Sequence, residues 1–455
     1  MASTYLTRTP SSASNRRTCT VSLWVKQDNL TDNRVFFDQG VDGSNFIRFY
    51  LDSNNRLAFY IEDSSAGGTQ ALLKPSALLR DVSAWYHFVI AVDVTQATES
   101  NRVKMYINGE LQTSFNDSNY PSQNLDIEGL NTTNPVNIGR RVSNNDNYFS
   151  GLISYYHFID GTAYDASDFG STDSVTGEWK INTSPSVTYG TNGFFILKDG
   201  NSVTDQSGEG NDFTVGGGTL TKTEDNPSNV FCVMNALDSN QYQTLSSGNL
   251  KIVNSSPASS FGLTKGSIGV TKGKWYWEVK YTYGAAGHFG FFKVSNTAIT
   301  NEEDINGNLF TVAGSAGNFT GVGFRISGGG DILEIQGNVD TGVDFSSGDT
   351  LGLAFDGDSG KLYAFKNGTE LTGQNIGAGT SLMSAVTMDD IFLPFISNGD
   401  GGSGTKTGTS EVNFGNGYFG TTAVSSAGTN VSGIGIFEYD VPTGYTALST
   451  KGLNL

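Results

Sequence analysis

The stretch WYHFVIAVD, at residues 85–93, is followed by VKMYINGEL at residues 103–111. A second pair, GKWYWEVKYT at residues 273–282 and GKLYAFKNGTEL at residues 360–371, has the same design. In each pair apolar and polar residues alternate with the period of two that is typical of β-strands. The later stretch of each pair contains an Asn-Gly dipeptide, which favours a tight hairpin turn. We therefore predict an all-β chain with two modules of antiparallel strands.

The composition agrees with this fold class. Only 16% of the residues are charged, whereas Gly occurs 58 times and aromatic residues make up 12%. Glycine-rich sequences with few charges and little helical periodicity are typical of short strands joined by turns. The 455 residues exceed the size of one β-sandwich and predict two to three domains.

Charge and hydropathy disfavour several classes of partner. The net charge of −18 argues against nucleic acid, which binds stripes of Lys and Arg, and against docking on anionic membranes. We predict no membrane insertion, because no apolar run approaches the roughly 20 residues that span a bilayer. The amino terminus shows no apolar signal segment, so we expect synthesis in a cytoplasm. Cys19 and Cys232 lie in different modules, and we expect two buried thiols rather than a disulfide.

The first module contains four landmarks in a characteristic order: TVSLWVK (20–26), WYHFVIAVD (85–93), YINGEL (106–111) and NIGRR…YFSGLISYYHF (137–158). This ordered set resembles the LamG-like form of the concanavalin A-like lectin/laminin-G superfamily. The resemblance implies a jelly-roll sandwich of two antiparallel sheets. It also implies binding of glycans or protein surfaces, in some members through Ca²⁺ at the rim of the sandwich.

The second module carries WYWEV (275–279), GVGF (321–324) and the run DTLGLAFDGDSGKLYAFKNG (349–368). This succession resembles the SPRY (B30.2-type) domain. The resemblance implies a bent β-sandwich that presents loops to a partner and does no chemistry. Taken together, the patterns predict two antiparallel β-sandwiches joined by a connector with aromatic anchors, and we expect the connector to fold onto one of them.

The predicted boundaries follow from these landmarks. They are an N-terminal arm (1–17), a LamG-like sandwich (18–160), a connector (161–229), a SPRY-like sandwich (230–420) and a C-terminal tail (421–455). Tyr445 and Leu448 are expected to dock the tail.

Candidate binding sites come from residue types that suit a sugar or a cation. Sugars bind aromatic rings that lie beside amide or carboxylate groups. Tyr148 fits this pattern beside Asn144, Asn145, Asp146 and Asn147, and Tyr120, near Asp117 and Asn119, is a separate candidate. No cofactor is required, and calcium is the one cofactor worth weighing, with hard oxygen ligands from Asp38, Asp42 and Asn45. Ordinary solvated acidic loops are the alternative for these residues.

The sequence predicts a protein that is not an enzyme. Retaining glucanases of the lectin superfamily carry a strand with the pattern E-x-D-x-x-E, and no such run exists here. Asp126 and Glu128 are spaced correctly but lack the third carboxylate. His87 and His157 lie within predicted strands beside aromatic residues, which favours packing over catalysis.

The pairing of the two modules, with the junction DNPSNVFCVMNALDS (225–239) and the tail YDVPTGYTALSTKGLNL (439–455), resembles structural proteins of aquatic bacteriophages. The resemblance implies a virion surface protein, either a fibre or a capsid decoration, that adheres to glycans or proteins of the host cell. Its other partners would be virion proteins, with further copies of the chain an open question. Two alternatives stay open: a purely structural virion protein, and a glycan depolymerase.

Overall fold

The computed structural model describes residues 3–198, 200, 202–239, 242–256, 261–282, 286–295, 321–326, 332–335, 339–399 and 406–454. The chain consists of two compact units, Met1–Lys222 and Thr223–Leu455, and each is described by itself. The boundary between the units falls within the predicted connector.

The first unit is built from strands, with short 3₁₀ turns at Ser64–Ala66, Glu99–Asn101 and Ala166–Asp168. The strands are β1 (Tyr5–Arg8), β2 (Thr18–Gln27), β3 (Arg34–Asp42), β4 (Asn45–Leu51), β5 (Leu57–Asp63), β6 (Gly68–Pro75), β7 (Tyr86–Asp93), β8 (Val103–Ile107), β9 (Glu110–Leu111), β10 (Phe115–Asn119), β11 (Val136–Ile138), β12 (Gly151–Asp160), β13 (Gly170–Thr172), β14 (Trp179–Ile181), β15 (Phe194–Ile196) and β16 (Thr214–Gly217).

Two antiparallel sheets form the sandwich of this unit. The eight-stranded sheet has the order β10-β6-β5-β4-β3-β11-β1-β16, and the six-stranded sheet has the order β15-β12-β2-β7-β8-β9. Alternate residues of each strand enter the core between them; in β7 these are Phe88, Ile90 and Val92, all fully buried. The strand pairing confirms the predicted all-β sandwich.

The Asn-Gly dipeptides form the hairpin turns that the sequence predicts. Asn108 and Gly109 connect β8 to β9 with φ values of +48° and +81°. Asn367 and Gly368, in the second unit, have φ values of +47° and +78°. Two successive positive φ values define the type I′ turn, whose twist matches that of the paired strands, and Asn and Gly adopt it at low cost.

The first described strand, β1, belongs to the sandwich. Residues 1–17 are an arm in the sequence analysis, yet β1 pairs with β11 on one side and with β16 on the other. Leu6 points into the core, whereas Tyr5 lies half-buried on the opposite face of the strand.

Residues that follow the sandwich cover the outer face of its six-stranded sheet. A second apolar cluster joins Val89 and Ile159 of the sheet to Phe169 and the half-buried Trp179 and Tyr189. This packing confirms that aromatic residues anchor the predicted connector on a sandwich. It also explains why β7 reads as an almost continuous apolar run, since both of its faces are buried.

One hydrogen-bonded column fixes this covering layer. The Trp24 ring stacks on His87 with centroids 4.7 Å apart, and the Trp179 ring lies edge to edge with His87, with centroids 6.0 Å apart. Trp179 Nε1 donates to His87 Nδ1 at 2.9 Å, so His87 Nε2 carries the proton and donates to Ser22 Oγ at 2.9 Å. Burial lowers the pKa of His87 to about 3, so the ring is neutral at pH 7.

The described residues of the second unit are also strands and turns, among them a 3₁₀ turn at Gly452–Asn454. Its strands are β17 (Met234–Ser239), β18 (Gln243–Ser246), β19 (Lys251–Ser256), β20 (Phe261–Gly266), β21 (Lys274–Thr282), β22 (Ala286–Lys293), β23 (Gly321–Ile326), β24 (Ile332–Ile335), β25 (Val339–Asp344), β26 (Thr350–Asp356), β27 (Lys361–Lys366), β28 (Thr369–Glu370), β29 (Phe392–Gly399), β30 (Lys406–Asn413), β31 (Tyr418–Phe419), β32 (Thr422–Ala423) and β33 (Thr446–Ala447).

A seven-stranded sheet, β17-β20-β29-β22-β23-β24-β25, packs on an eight-stranded sheet, β18-β19-β30-β21-β26-β27-β28. The tail covers the other face of the eight-stranded sheet, where Phe437 and Tyr445 pack against Tyr276 and Tyr363. In addition, β33 pairs in parallel with β21. Tyr445 and Leu448 are 4% and 0% exposed, which confirms that these two residues dock the tail.

Both cysteines are buried and form no disulfide, as predicted. Within the part of the chain that the structure describes, no helix is long and apolar enough to span a membrane.

Candidate functional site

The predicted sugar-binding segment is a loop between β11 and β12 that an arginine holds in shape. The Arg141 guanidinium donates to both carboxylate oxygens of Asp146, at 2.7 and 2.6 Å, and its backbone N–H donates to the Asp146 carbonyl. Asn145 and Asn147 adopt left-handed backbone conformations, with φ values of +55° and +53°. Asp146 is therefore a structural brace, whereas the side chains of Asn144 and Asn145 are exposed.

The loop ends in an aromatic cluster that includes the first strand. Tyr148 is half-buried and meets the ring of Tyr5 edge-on, with centroids 6.4 Å apart. The Arg140 guanidinium lies over the same Tyr5 ring at 3.4 Å. Asn147 connects the loop to the sheet, because its carbonyl accepts from the Val35 N–H at 3.0 Å.

Tyr5 and Arg140 are not among the site residues predicted from the sequence. Tyr5 fell within the residues assigned to an arm, and Arg140 served only as part of the NIGRR landmark. Their proximity arises because β1 pairs with β11, with Leu6 opposite Ile138. The alternating pattern YLTR, at the start of the chain, was the available signal for a strand.

Tyr120 does not join this cluster. It follows β10, the outermost strand of the eight-stranded sheet, and packs against Phe115 with centroids 6.2 Å apart. Five strand spacings separate β10 from β11 in that sheet, which is roughly 24 Å. Tyr120 is therefore a separate candidate, and sugar binding there stays a prediction.

The three predicted calcium ligands are not one donor set. Asp38 is 1% exposed, and its two oxygens accept from Arg48 at 3.1 and 3.2 Å. Burial raises the pKa of Asp38, and the Arg48 charge opposes this rise. Asp42 and Asn45 face each other across the β3–β4 turn, where Asn45 Nδ2 donates to Asp42 at 3.1 and 3.3 Å. Asp38 does not fit a calcium site, and binding at Asp42 and Asn45 stays a prediction.

The two carboxylates weighed for hydrolysis both pair with arginines. Asp126 accepts from Arg17 at 2.8 Å, and Glu128 accepts from Arg16 at 2.7 Å. His87 and His157 are 1% and 2% exposed, which confirms their predicted role in packing. Within the described ranges, no group of three or more His, Cys, Asp or Glu side chains could hold a metal ion.

Comparison with known families places the loop and the aromatic cluster in a recognised domain. Residues 2–163 match the concanavalin A-like lectin/glucanases superfamily. This match confirms the predicted resemblance of the first module, and these residues are called the lectin-like domain below. The domain contains Tyr5, Arg140 and the whole loop at residues 144–148. No curated protein matches the chain.

The chain is also similar to several solved structures. The SPRY domain of human HERC1 is 13% identical, with a TM-score of 0.27, over 39% of this chain and 96% of that chain. The sialidase CBM40 of Ruminococcus gnavus, bound to α2,3-sialyllactose, is 16% identical, with a TM-score of 0.24, over 30% and 71%. A SAP-like pentraxin from Limulus polyphemus is 15% identical, with a TM-score of 0.26, over 35% and 71%.

Proposed function

We propose that the chain is a non-enzymatic adhesion protein of a virion surface, a fibre or a capsid decoration, that binds glycans or proteins of the host cell. The observation that carries the adhesive role is the cluster of Tyr5 and Tyr148 beside the exposed amides of Asn144 and Asn145, within the lectin-like domain. Aromatic rings cover the apolar face of a sugar, and amides hydrogen-bond its hydroxyl groups.

The virion setting rests on the resemblance of the junction and the tail to bacteriophage structural proteins. A virion surface carries many copies of the same protein. Single binding sites on loops of a rigid sandwich bind weakly, and many copies that act together increase the overall affinity.

A binding experiment with two tyrosine variants tests the adhesive role. The purified chain is applied to an array of bacterial surface glycans, together with Tyr148→Ala and the matched control Tyr120→Ala. We expect the wild type and the Tyr120 variant to bind the same glycans and the Tyr148 variant to lose most of the signal. Loss in the Tyr120 variant alone would move the site to β10. Release of free sugar by the wild type would favour a depolymerase instead.

Location is tested by antibody-gold labelling of purified particles with antibody against the recombinant chain. Label on fibres or across the capsid is the expected result. Labelled particles combined with no glycan or host-cell binding would favour the purely structural virion protein. Absence of the chain from the particles, by label and by mass spectrometry, would refute the virion assignment.

A further inference from the structure

Arg140 is a cation held in place by neighbours that do not neutralise it. Its guanidinium stacks on the Tyr5 ring at 3.4 Å, and Tyr5 in turn lies against the backbone of Gly216 and Gly217 in β16. In the orientation that gives both the nitrogen and the oxygen of the Asn137 amide a hydrogen-bond partner, the oxygen accepts from Arg140 Nε at 3.1 Å. These contacts fix the plane of the guanidinium through its face and its Nε, and they leave the two terminal nitrogens to other acceptors.

No carboxylate of the described residues pairs with Arg140, although acidic side chains outnumber basic ones by 45 to 27. The adjacent Arg141 shows the contrast, because Asp146 binds it with two hydrogen bonds. Other arginines of the same domain that pair with a carboxylate are Arg16, Arg17 and Arg48.

The acidic groups of the loop and of the neighbouring strand β3 already have hydrogen-bond partners. Asp146 pairs with Arg141, and Asp38 pairs with Arg48. Asp42, at the end of β3, accepts from Asn45 Nδ2. The negative charge of the whole chain acts weakly here, because charges farther away than about 8 Å are screened at physiological ionic strength.

We propose that Arg140 binds the carboxylate of an acidic sugar, a glycan of the uronic acid type. A guanidinium presents two parallel N–H groups that match the two oxygens of a carboxylate. Tyr148 packs on the apolar face of the same sugar unit, and the exposed amides of Asn144 and Asn145 hydrogen-bond its hydroxyl groups. This inference rests on the proposed glycan-binding function and defines the class of glycan.

The test compares two polymers that differ in whether their carboxylates are free or methyl-esterified. Binding of the full chain to immobilised polygalacturonate and to its fully methyl-esterified form is measured by interferometry at 0.15 M salt, roughly physiological ionic strength. The variants are Arg140→Gln and the matched control Arg80→Gln, an exposed arginine elsewhere in the domain. Melting temperatures of all three proteins establish that each one is folded.

We expect the wild type to prefer the acid form by about tenfold or more, since charge-assisted bidentate hydrogen bonds are lost on the ester. Arg140→Gln abolishes this preference, whereas Arg80→Gln retains it. Equal binding of acid and ester by the wild type, or an unchanged preference in Arg140→Gln, would overturn the inference. Tighter binding of dextran sulfate than of polygalacturonate would also overturn it, in favour of a sulfate site.

Failure of this inference is distinguishable from failure of the proposed function. If the wild type binds neutral glycans on the array but neither polymer, Arg140 does not recognise the carboxylate of an acidic sugar, and only the inference fails. If the wild type binds no glycan of any charge, both fail together.

Discussion

The buried carboxylate of Glu278 predicts that the attachment of the C-terminal tail weakens as pH rises. Glu278 lies on β21, is 0% exposed, and accepts from the backbone N–H groups of Glu438 and Tyr439 at 2.9 Å each. The Tyr276 hydroxyl donates to it at 3.2 Å, and Lys280 of the same strand pairs with Glu438 at 2.7 Å. Glu278 therefore joins the sheet to the tail segment that covers it.

Burial is the largest influence on this group and raises the pKa of Glu278 from 4.5 to about 7, against the opposing effect of the two backbone N–H groups. Because the pKa is higher in the folded chain than in the unfolded chain, the folded state takes up a proton. The stabilisation is complete below pH 4.5 and is lost as pH rises to about 7. At about 1.4 kcal/mol for each unit of pKa, the difference between the two limits is about 3 kcal/mol.

Glu278→Gln removes the titration and keeps the shape of the protonated side chain. At pH 4.5 we expect the tail of the variant to be less stable than that of the wild type, because the amide nitrogen of Gln cannot accept from the second backbone N–H. Between pH 4.5 and pH 8 the variant should gain up to about 3 kcal/mol relative to the wild type, because no charge has to be buried. The assay is hydrogen–deuterium exchange of a peptide covering residues 431–448, with variant and wild type compared at each pH.

Exposed Glu110→Gln is the control for the loss of a charge, and it should match the wild type throughout. A difference between Glu278→Gln and the wild type that stays constant with pH would refute the reasoning. If Glu278→Gln instead becomes less stable relative to the wild type as pH rises, the hydrogen bonds from the two N–H groups have a larger effect on the pKa of Glu278 than burial has.

Two further predictions concern the lectin-like domain. Gly109→Ala should destabilise the first unit more than Gly208→Ala in urea unfolding, by about 1–3 kcal/mol. A Cβ at Gly109 would lie 2.3 Å from the Trp179 ring, whereas Gly208 has a similar positive φ and open space around it. Equal losses of stability in the two variants would contradict the clash with Trp179. Arg48→Met should lower the free energy of unfolding by about 3–5 kcal/mol, because it leaves the buried Asp38 carboxylate unpaired. The double variant Asp38→Asn with Arg48→Met should recover part of that loss. Additive losses from the two substitutions would contradict the pairing.

The sequence predicts the sandwiches because their signals are local. Alternation in WYHFVIAVD and the Asn-Gly turns at Asn108 and Asn367 depend on neighbouring residues, and the structure confirms both. The Tyr5–Arg140 contact joins residues that are far apart in the chain, and it exists only because β1 inserts between β11 and β16. Strand order within a sheet is set by long-range packing, which periodicity does not report.

The pairing of Asp38 with Arg48 was not predictable from the sequence for a related reason. An aspartate near a turn is an acceptable ligand by residue type, but Arg48 lies directly opposite it on β4. The cross-strand neighbour of a carboxylate decides whether that carboxylate is already paired. This neighbour can be named only when the register of β3 against β4 is known.

The covering layer restricts where the lectin-like domain can bind a ligand. Its six-stranded sheet has a core face that packs on the other sheet and an outer face that residues 164–189 cover, with Trp179 hydrogen-bonded to His87. A glycan has no access to either face while this layer is in place. Tyr5, by contrast, belongs to the eight-stranded sheet, where it is half-buried and Arg140 is stacked on it. The aromatic cluster beside β1 and β11 is therefore a site that both the covering layer and the charge distribution leave open to an acidic ligand.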